Sequence, residues 1–593
     1  MLNELYRYAL SHQLAVEPGF KPKKPKAYLL LAGNGRFLGL SPVDKDAPPV
    51  MAPDIGAMAN GTRYCNPLLE KACIPLCIVK DPEKDRNIPV KHAFFLSMLD
   101  DGSESEPLFA VAAGALRTAE TVQAMCEALE AHKLKASDPI GFQVDGRPLE
   151  KGAGCLNWWS DFRRQFSPET AGALPRCLIT GETAPALATV PKVPGLMRVG
   201  GHTSGDAFLC FDKDSFQSYG LRQSNNAPVS EEAMTAVNAA LTQLIGTAPV
   251  LGGAKLVHWY SASVAPQEDL LPALLGEGLV EEGVEESEPQ GQEQDAMRKS
   301  SRLLQSLSHG ARPELLDAQY FILPLSGANG RMMVRGWYQG NYETLRQKIL
   351  LWFDDLRLAM PSAEGFTHPP KLKALCVRLL KPGGDPKKVW ERMDKELPNL
   401  LGRVLYSIVN GTALPDETAF RALAWLRSSM LSSKEEEKNA DVSKETLVFQ
   451  LLKAWLRRKQ RMKGETELME EQNVVQQRDA AYHCGQLMAL YAVIQEKAMP
   501  EVGVGVAERY YAAASSTPAF VIGKLSQLSQ HHLTKLEKGA AIYYEGLLDR
   551  TYTLIGQRSI PTMLTMEQQA EFALGYYQQR AELFTKNKKA QEA

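Results

Sequence analysis

A chain of 593 residues is long enough for several domains of the usual ~100–200 residues. Hydrophobic residues make up 44% and charged residues 23%, near globular averages, which excludes a wholly disordered or collagen-like polymer. Lys and Arg number 67 against 69 Asp and Glu, so any nucleic-acid role has to rest on local basic patches or on a neighbouring subunit. Nine cysteines, an odd count at irregular spacing, read as thiols in a reducing compartment rather than a disulfide framework. The N-terminal MLNELYRYALSHQL lacks the basic head and apolar run of a signal peptide. The run Leu108–Leu116 is far short of the ~20 residues that span a bilayer. The expectation is a cytoplasmic protein with no membrane partner.

The expected fold class is α+β: a mixed N-terminal region with short sheets, then a helical region and a C-terminal four-helix bundle. In chain order, KPKKPK (Lys21–Lys26) reads as a small cationic arm held extended by its prolines. Ala27–Gly33 and Arg36–Leu40 predict two strands about a tight Gly-Asn-Gly turn. Phe208–Phe211 and Lys255–Ser261 read as buried strands. Between them Val229–Ile245 predicts a helix with Ser230 as N-cap, and Glu231 and Glu232 where the helix dipole favours negative charge. Glu268 to Asp295 holds ten acidic residues and no Lys or Arg. It reads as a solvated linker or surface loop, with DNA mimicry in a basic groove as the alternative.

Ala318–Gly340 alternates as a hairpin, Phe321, Leu323 and Leu325 on one face answered by Met333, Arg335 and Trp337. From Asn341 the pattern turns helical. Arg346 to Lys463 carries 23 Lys and Arg against 14 Asp and Glu, densest in Trp455–Lys463. This excess is either a solvated helix face or a phosphate-facing surface. From about Met469 four helices are expected, separated by PEVGVG, TP and GQRSIPT, with Thr565 capping the last.

No catalytic constellation stands out, and no enzyme activity or cofactor is expected. Gly33, Gly35 and Gly39 miss the dinucleotide spacing, and no phosphate-binding loop, H-E-x-x-H or G-x-S-x-G occurs. Cys65, Cys73, Cys77 and His92 are wrongly spaced for zinc, and Thr180 stands where a knuckle begun by Cys177 needs a second thiolate. His531 and His532 are adjacent on a helix and cannot chelate one ion together. Asp212 and Asp214 lack nominated partners for two-metal chemistry.

Four strings carry a more specific signal: Ser204–Ala233 (SGDAFLCFDKDSFQSYGLRQSNNAPVSEEA), Phe321–Gly340, Glu508–Lys538 (ERYYAAASSTPAFVIGKLSQLSQHHLTKLEK) and Glu567–Arg580. Together they resemble the large subunit of the type I-C CRISPR Cascade surveillance complex. The resemblance runs nearly end to end and departs at the acidic stretch and around Asp54–Lys80. It implies a non-catalytic subunit of an RNA-guided DNA-binding machine that checks the short PAM duplex, helps to open the target and docks a helicase-nuclease. The implied partners are a guide crRNA ribonucleoprotein with its backbone and 5′-end subunits, double-stranded target DNA, the helicase-nuclease and a free small subunit. That small subunit resembles the C-terminal part and can arise from an internal start, with Met469 preferred and Met462 second. The alternative is a guide-RNA-processing endonuclease of the same system, which needs a positioned base or metal.

Four segments follow: an N-terminal α+β domain with a PAM-reading loop (1–265), an acidic linker or surface loop (266–300), a hairpin with a basic helical region (301–468) and the bundle (469–593). PAM reading is expected at Asn60, Thr62, Arg63 and Asn66, short donors suited to minor-groove acceptors. Lys23, Lys24 and Lys26 of the arm are expected on the DNA backbone. So are Arg457, Arg458, Lys459 and Arg461, because four cations within five residues cannot all be paired locally. In the bundle, Arg509, Lys524, His532 and Lys535 are expected to face a strand, with Tyr510 or Tyr511 for stacking. The competing view makes Tyr510, Tyr511, Tyr576 and Tyr577 ordinary core and surface of a bundle.

Overall fold

The computed structural model describes the chain apart from residues 15–16, 167–173, 188, 212, 266–268, 276–316, 359–366, 368–369, 384, 386–387, 431–443, 465–477, 502, 557–558 and 593. Met469, Asp212 and most of the acidic stretch therefore lie outside the described residues. Two compact units emerge. The first comprises Met1–Gly195, His202–Gln243 and Asn329–Arg331, and the second Leu196–Gly201, Leu244–Ala328 and Met332–Ala593.

The first unit opens with α1 (Leu2–Ser11), then β1 (Phe20–Lys23), β2 (Ala27–Leu31), β3 (Phe37–Pro42), β4 (Val50–Pro53) and β5 (Glu70–Lys71). Three helices follow, α2 (Ile88–Gly102), α3 (Leu108–Arg117) and α4 (Ala119–Ala131), then β6 (Pro139–Val144), β7 (Arg147–Pro148), α5 (Cys155–Phe162) and α6 (Glu231–Thr247). The expected strand pair forms, β2 antiparallel to β3. On its other edge β2 runs parallel to β6. A parallel neighbour requires a long crossover, and α2 to α4 supply it. Phe95, Phe109, Phe142, Trp158 and Trp159 fill the core between that sheet and those helices. Ser230 caps α6 as expected, its Oγ accepting from the Ala233 N–H at 3.3 Å. Phe208–Phe211 is not a strand. Only a single bridge, Ala207 to Arg331, forms beside it among the described residues, and its side chains are half-buried.

The second unit has a sheet of β8 (Val250–Leu251), β9 (Ala254–Tyr260), β10 (Gln319–Ala328), β11 (Arg331–Val334) and β12 (Tyr338–Asn341), in the order β11-β10-β9-β8 with β12 also on β10. A short α7 (Leu270–Leu275) lies between β9 and β10. The hairpin expectation holds, but β10 is buried on both faces from Tyr320 to Ser326. Phe321 stacks between Trp259 and Trp337 at 5.2 and 5.6 Å. Because β9 and β10 are antiparallel neighbours, Tyr260 opposite Tyr320, the acidic stretch connects two strands of one sheet and is not an interdomain linker. Within it, Asp269 accepts from the Tyr260 hydroxyl at 2.8 Å and pairs with His258 at 2.9 Å.

Helices follow to the end: α8 (Tyr342–Leu356), α9 (Leu372–Val377), α10 (Val389–Glu396), α11 (Pro398–Asn410), α12 (Asp416–Met430), α13 (Lys444–Met462), α14 (Ala480–Ala498), α15 (Val506–Ala514), α16 (Pro518–Leu533), α17 (Lys538–Ile555) and α18 (Met566–Glu592). Asn341 caps α8 through the Glu343 and Thr344 N–H groups. Thr565 caps α18, its Oγ1 accepting from the Gln568 N–H at 3.3 Å. The C-terminal segment holds five helices among the described residues, not four, because α16 and α17 part at Thr534–Glu537 without glycine or proline. Every residue of α14 from Ala480 to Ile494 is buried, the pattern of a helix surrounded by others. It crosses α18 at an unusually close approach, set by Gly485 and Gly575. A Cβ on either would lie 2.0 Å from a backbone oxygen of the opposing helix, Phe572 or Tyr482. The architecture is α+β.

Candidate nucleic-acid interface

The N-terminal loop is a 3₁₀ turn (Gly56–Asn60) running into buried Cys65. Lys91 of α2 fixes it from below by donating to the Ala59 carbonyl at 2.8 Å. Tyr64 packs edge-on against Phe94 and Phe166, with ring centroids 5.0 and 5.3 Å away, and the Arg63 guanidinium lies over it at 5.4 Å. Asn60, Thr62 and Arg63 are thereby carried on an exposed ledge with a rigid base. Asn66 is different. Its Oδ1 accepts from the Ile55 N–H at 3.3 Å and its Nδ2 donates to Glu70 at 3.1 Å. Both ends of that amide are engaged in closing the loop, so Asn66 braces it.

The lysine arm is likewise tied down rather than free. Its first half is β1, paired with β4. Lys21 and Lys23 both reach Asp54, at 2.9 and 3.1 Å. Burial pushes the Asp54 carboxyl upward, but the two ammonium groups outweigh it and hold it below the usual carboxylate range. Asp54 also accepts from the Gly56 N–H at 2.8 Å, so one carboxylate joins arm to loop. Lys26 pairs with Asp138 at 2.8 Å, and Lys24 donates to the Lys45 carbonyl. Lys24 and Lys26 remain exposed, whereas Lys23 is mostly covered and spent on Asp54 and the Pro53 carbonyl.

The basic run on α13 contradicts the premise that its four cations cannot all be paired. Arg458 is 1% exposed: it pairs with fully buried Asp355 at 2.9 Å and donates to the Ser407 and Thr412 carbonyls. Arg461 meets the same carboxylate at 2.7 Å. Arg457 pairs with Asp354 at 3.3 Å, and Lys459 with Asp416 at 2.9 Å and Glu567 at 3.4 Å. All four cations are paired, through carboxylates remote in sequence. Arg458 cannot reach a phosphate, and the other three are engaged with the protein.

In the C-terminal helices Arg509, Lys524 and Lys535 are exposed. Lys524 holds its ammonium over the half-buried Tyr510 ring at 5.4 Å. His532 is half-buried, and burial, with Lys535 and His531 beside it, pushes its imidazole pKa down. Tyr511 is not available for stacking on a base: it is 1% exposed, packed edge-on against Phe572 and Tyr576. Tyr576 and Tyr577 are core as well.

The family described as CRISPR-associated protein (Cas_Csd1) matches residues 2–584, nearly the whole chain. The chain belongs to that family. No curated protein matches it. In this CRISPR-associated chain, no group of three or more His, Cys, Asp or Glu is gathered around a metal position among the described residues. Nor is any helix among them long and apolar enough to cross a membrane. His92 is engaged with the Ile74 carbonyl at 3.0 Å, and burial pushes the Cys65 thiol up. At Cys177 burial also acts upward, but donors from Ser230 and Thr180 outweigh it and draw the thiol down to about 7. Thr180 thus serves the sulfur as a hydrogen-bond partner in the place a second metal-binding thiolate would take. Two features escape sequence inspection. One is Asp355, an ordinary acidic residue until its burial is known. The other is the exposed hairpin around Tyr219, whose only local signal is the turn dipeptide Tyr-Gly.

Proposed function

We propose that the chain is the large, non-catalytic subunit of a type I-C Cascade complex acting in the cytoplasm. In this reading it binds the guide crRNA ribonucleoprotein, its backbone and 5′-end subunits and a free small subunit, recognises the PAM duplex, stabilises the opened target and docks the helicase-nuclease. The observation that carries the reading is the family match across residues 2–584, which takes in both the N-terminal ledge and the C-terminal helices. The exposed Asn60, Thr62 and Arg63 are the PAM-reading candidates, with Lys24 and Lys26 nearest the DNA backbone. Arg509, Lys524 and Lys535 form a second exposed set for a single strand. Such a subunit needs phosphate contacts and a short duplex reader, because pairing between guide and target reads the sequence.

The test is to incubate the purified chain, alone and assembled with guide-bearing subunits, with PAM-bearing duplex, PAM-less duplex and labelled guide precursor. Preferential binding of the PAM duplex without cleavage is expected. The double variant Asn60→Ala, Thr62→Ala should weaken PAM-duplex binding by about 1–3 kcal/mol and leave PAM-less binding unchanged. Unaltered discrimination would remove the ledge from the PAM site. Cleavage of the precursor would replace the whole reading with the processing endonuclease.

A further inference from the structure

Every residue from Lys213 to Gln223 is exposed, and the excursion ends at buried Ser224. Within it Ser218 and Leu221 form an antiparallel bridge, the Leu221 N–H donating to the Ser218 carbonyl at 2.9 Å. Tyr219 and Gly220 are therefore the two central residues of a tight hairpin turn, and both have positive φ, 53° and 73°. Asn-Gly normally fills such a pair, because a bulky L-residue is disfavoured in the left-handed region. Tyr219 is 99% exposed, so its ring gains nothing by burial that would offset the strain. The fold has no use for a tyrosine here.

The base beneath it is braced. Asn226 Nδ2 donates to the Leu221 and Gln223 carbonyls at 3.2 and 2.9 Å. Gln217 Nε2 donates to Asp214 Oδ1 at 2.9 Å. The Arg331 guanidinium lies over Phe216 at 5.3 Å. A ring strained outward on a preformed support loses little freedom when something stacks on it. Its surroundings select the partner. Lys213 and Arg222 outnumber the one described carboxylate, Asp214, and Gln217, Ser218, Gln223 and Asn225 supply polar groups beside the exposed Phe216 and Leu221, a mixture of cations, hydrogen-bonding groups and apolar surface that suits a base and its phosphates.

We propose that Tyr219 is a nucleobase-stacking residue, taking an unpaired base of a single strand on its ring while Lys213 and Arg222 neutralise adjoining phosphates. The proposal rests on the reading of the chain as a nucleic-acid-binding subunit and adds a binding residue to it. The test uses the full chain with 2-aminopurine-labelled single-stranded DNA and, separately, RNA of the same sequence. The wild type should quench the label and Tyr219→Phe should retain the effect. Tyr219→Ala and Tyr219→Gly should lose it, with affinity falling on the order of 5- to 100-fold. Tyr219→Gly removes the strain, so its melting temperature should match or exceed that of the wild type, which separates lost stacking from lost folding. Whichever oligomer is quenched identifies the strand. Quenching and affinity that survive Tyr219→Ala overturn the proposal but leave the nucleic-acid reading standing, whereas a wild type that binds neither oligomer nor PAM duplex overturns both. A photocrosslinker at position 219 that labels only protein in the assembled complex also overturns it.

Discussion

Asp355 is fully buried with two guanidinium groups on its carboxylate, Arg458 at 2.9 Å and Arg461 at 2.7 Å. Removing one member of such a cluster strands the other's charge in a medium that solvates it poorly. Asp355→Ala and Arg458→Ala should each destabilise the chain by about 3–5 kcal/mol, and the double variant by less than their sum, as read by denaturant unfolding. Singles that unfold like the wild type would show that the cluster is not structural. The basic character of Trp455–Lys463 is legible in the sequence, but its pairing is not. Asp416 lies 43 positions from Lys459, and Asp355 lies 106 from Arg461. A reading confined to near neighbours finds those cations unpaired. The same holds for Asn66, which looks like an exposed amide until Ile55 and Glu70 are seen on either side of it.

At the scale of elements, the crossing of α14 and α18 depends on two hydrogen atoms where other residues carry a methyl group. Gly575→Ala would press a Cβ to 2.0 Å from the Tyr482 carbonyl oxygen. Backbone cannot yield as a flexible side chain can, so the cost should reach the upper part of the usual range for overpacking, about 3 kcal/mol. Gly539→Ala and Gly546→Ala on α17 meet open space and should instead stabilise by up to about 1 kcal/mol, the ordinary gain of alanine in a helix. Thermal melting of the three variants checks the contrast, and equal melting of Gly575→Ala and Gly546→Ala would show that the two helices can part freely. Helices with a polar cap and a clear period, such as α6 and α18, are legible in advance because their signals are local. The break between α16 and α17 is not, since Thr534–Glu537 contains no residue that forbids a helix. Phe208–Phe211 reads as a strand from its apolar run, yet a strand exists only where a neighbour offers a ladder.

For the molecule as a whole, the C-terminal helices share one hydrophobic core with those before them. Phe449 of α13 packs on Tyr577 at 4.8 Å, Arg427 of α12 donates to Ser515 and Gln569, and Lys463 pairs with Glu567 at 2.8 Å. A product begun at Met469 leaves these partners behind. Expressed alone, residues 469–593 should therefore melt below the full chain, as followed by circular dichroism; an equal midpoint would show that the segment folds on its own resources. The two strands flanking the acidic stretch have a wider consequence. Tyr260 faces Tyr320 in register, so the ends of that connection are held together by the sheet whatever its length. Closing a flexible loop costs only about 0.6 kcal/mol more for each doubling of its residues. An insertion between those neighbouring strands that no more than doubles the connection, such as a short affinity tag, should therefore cost less than the loss of one buried methylene.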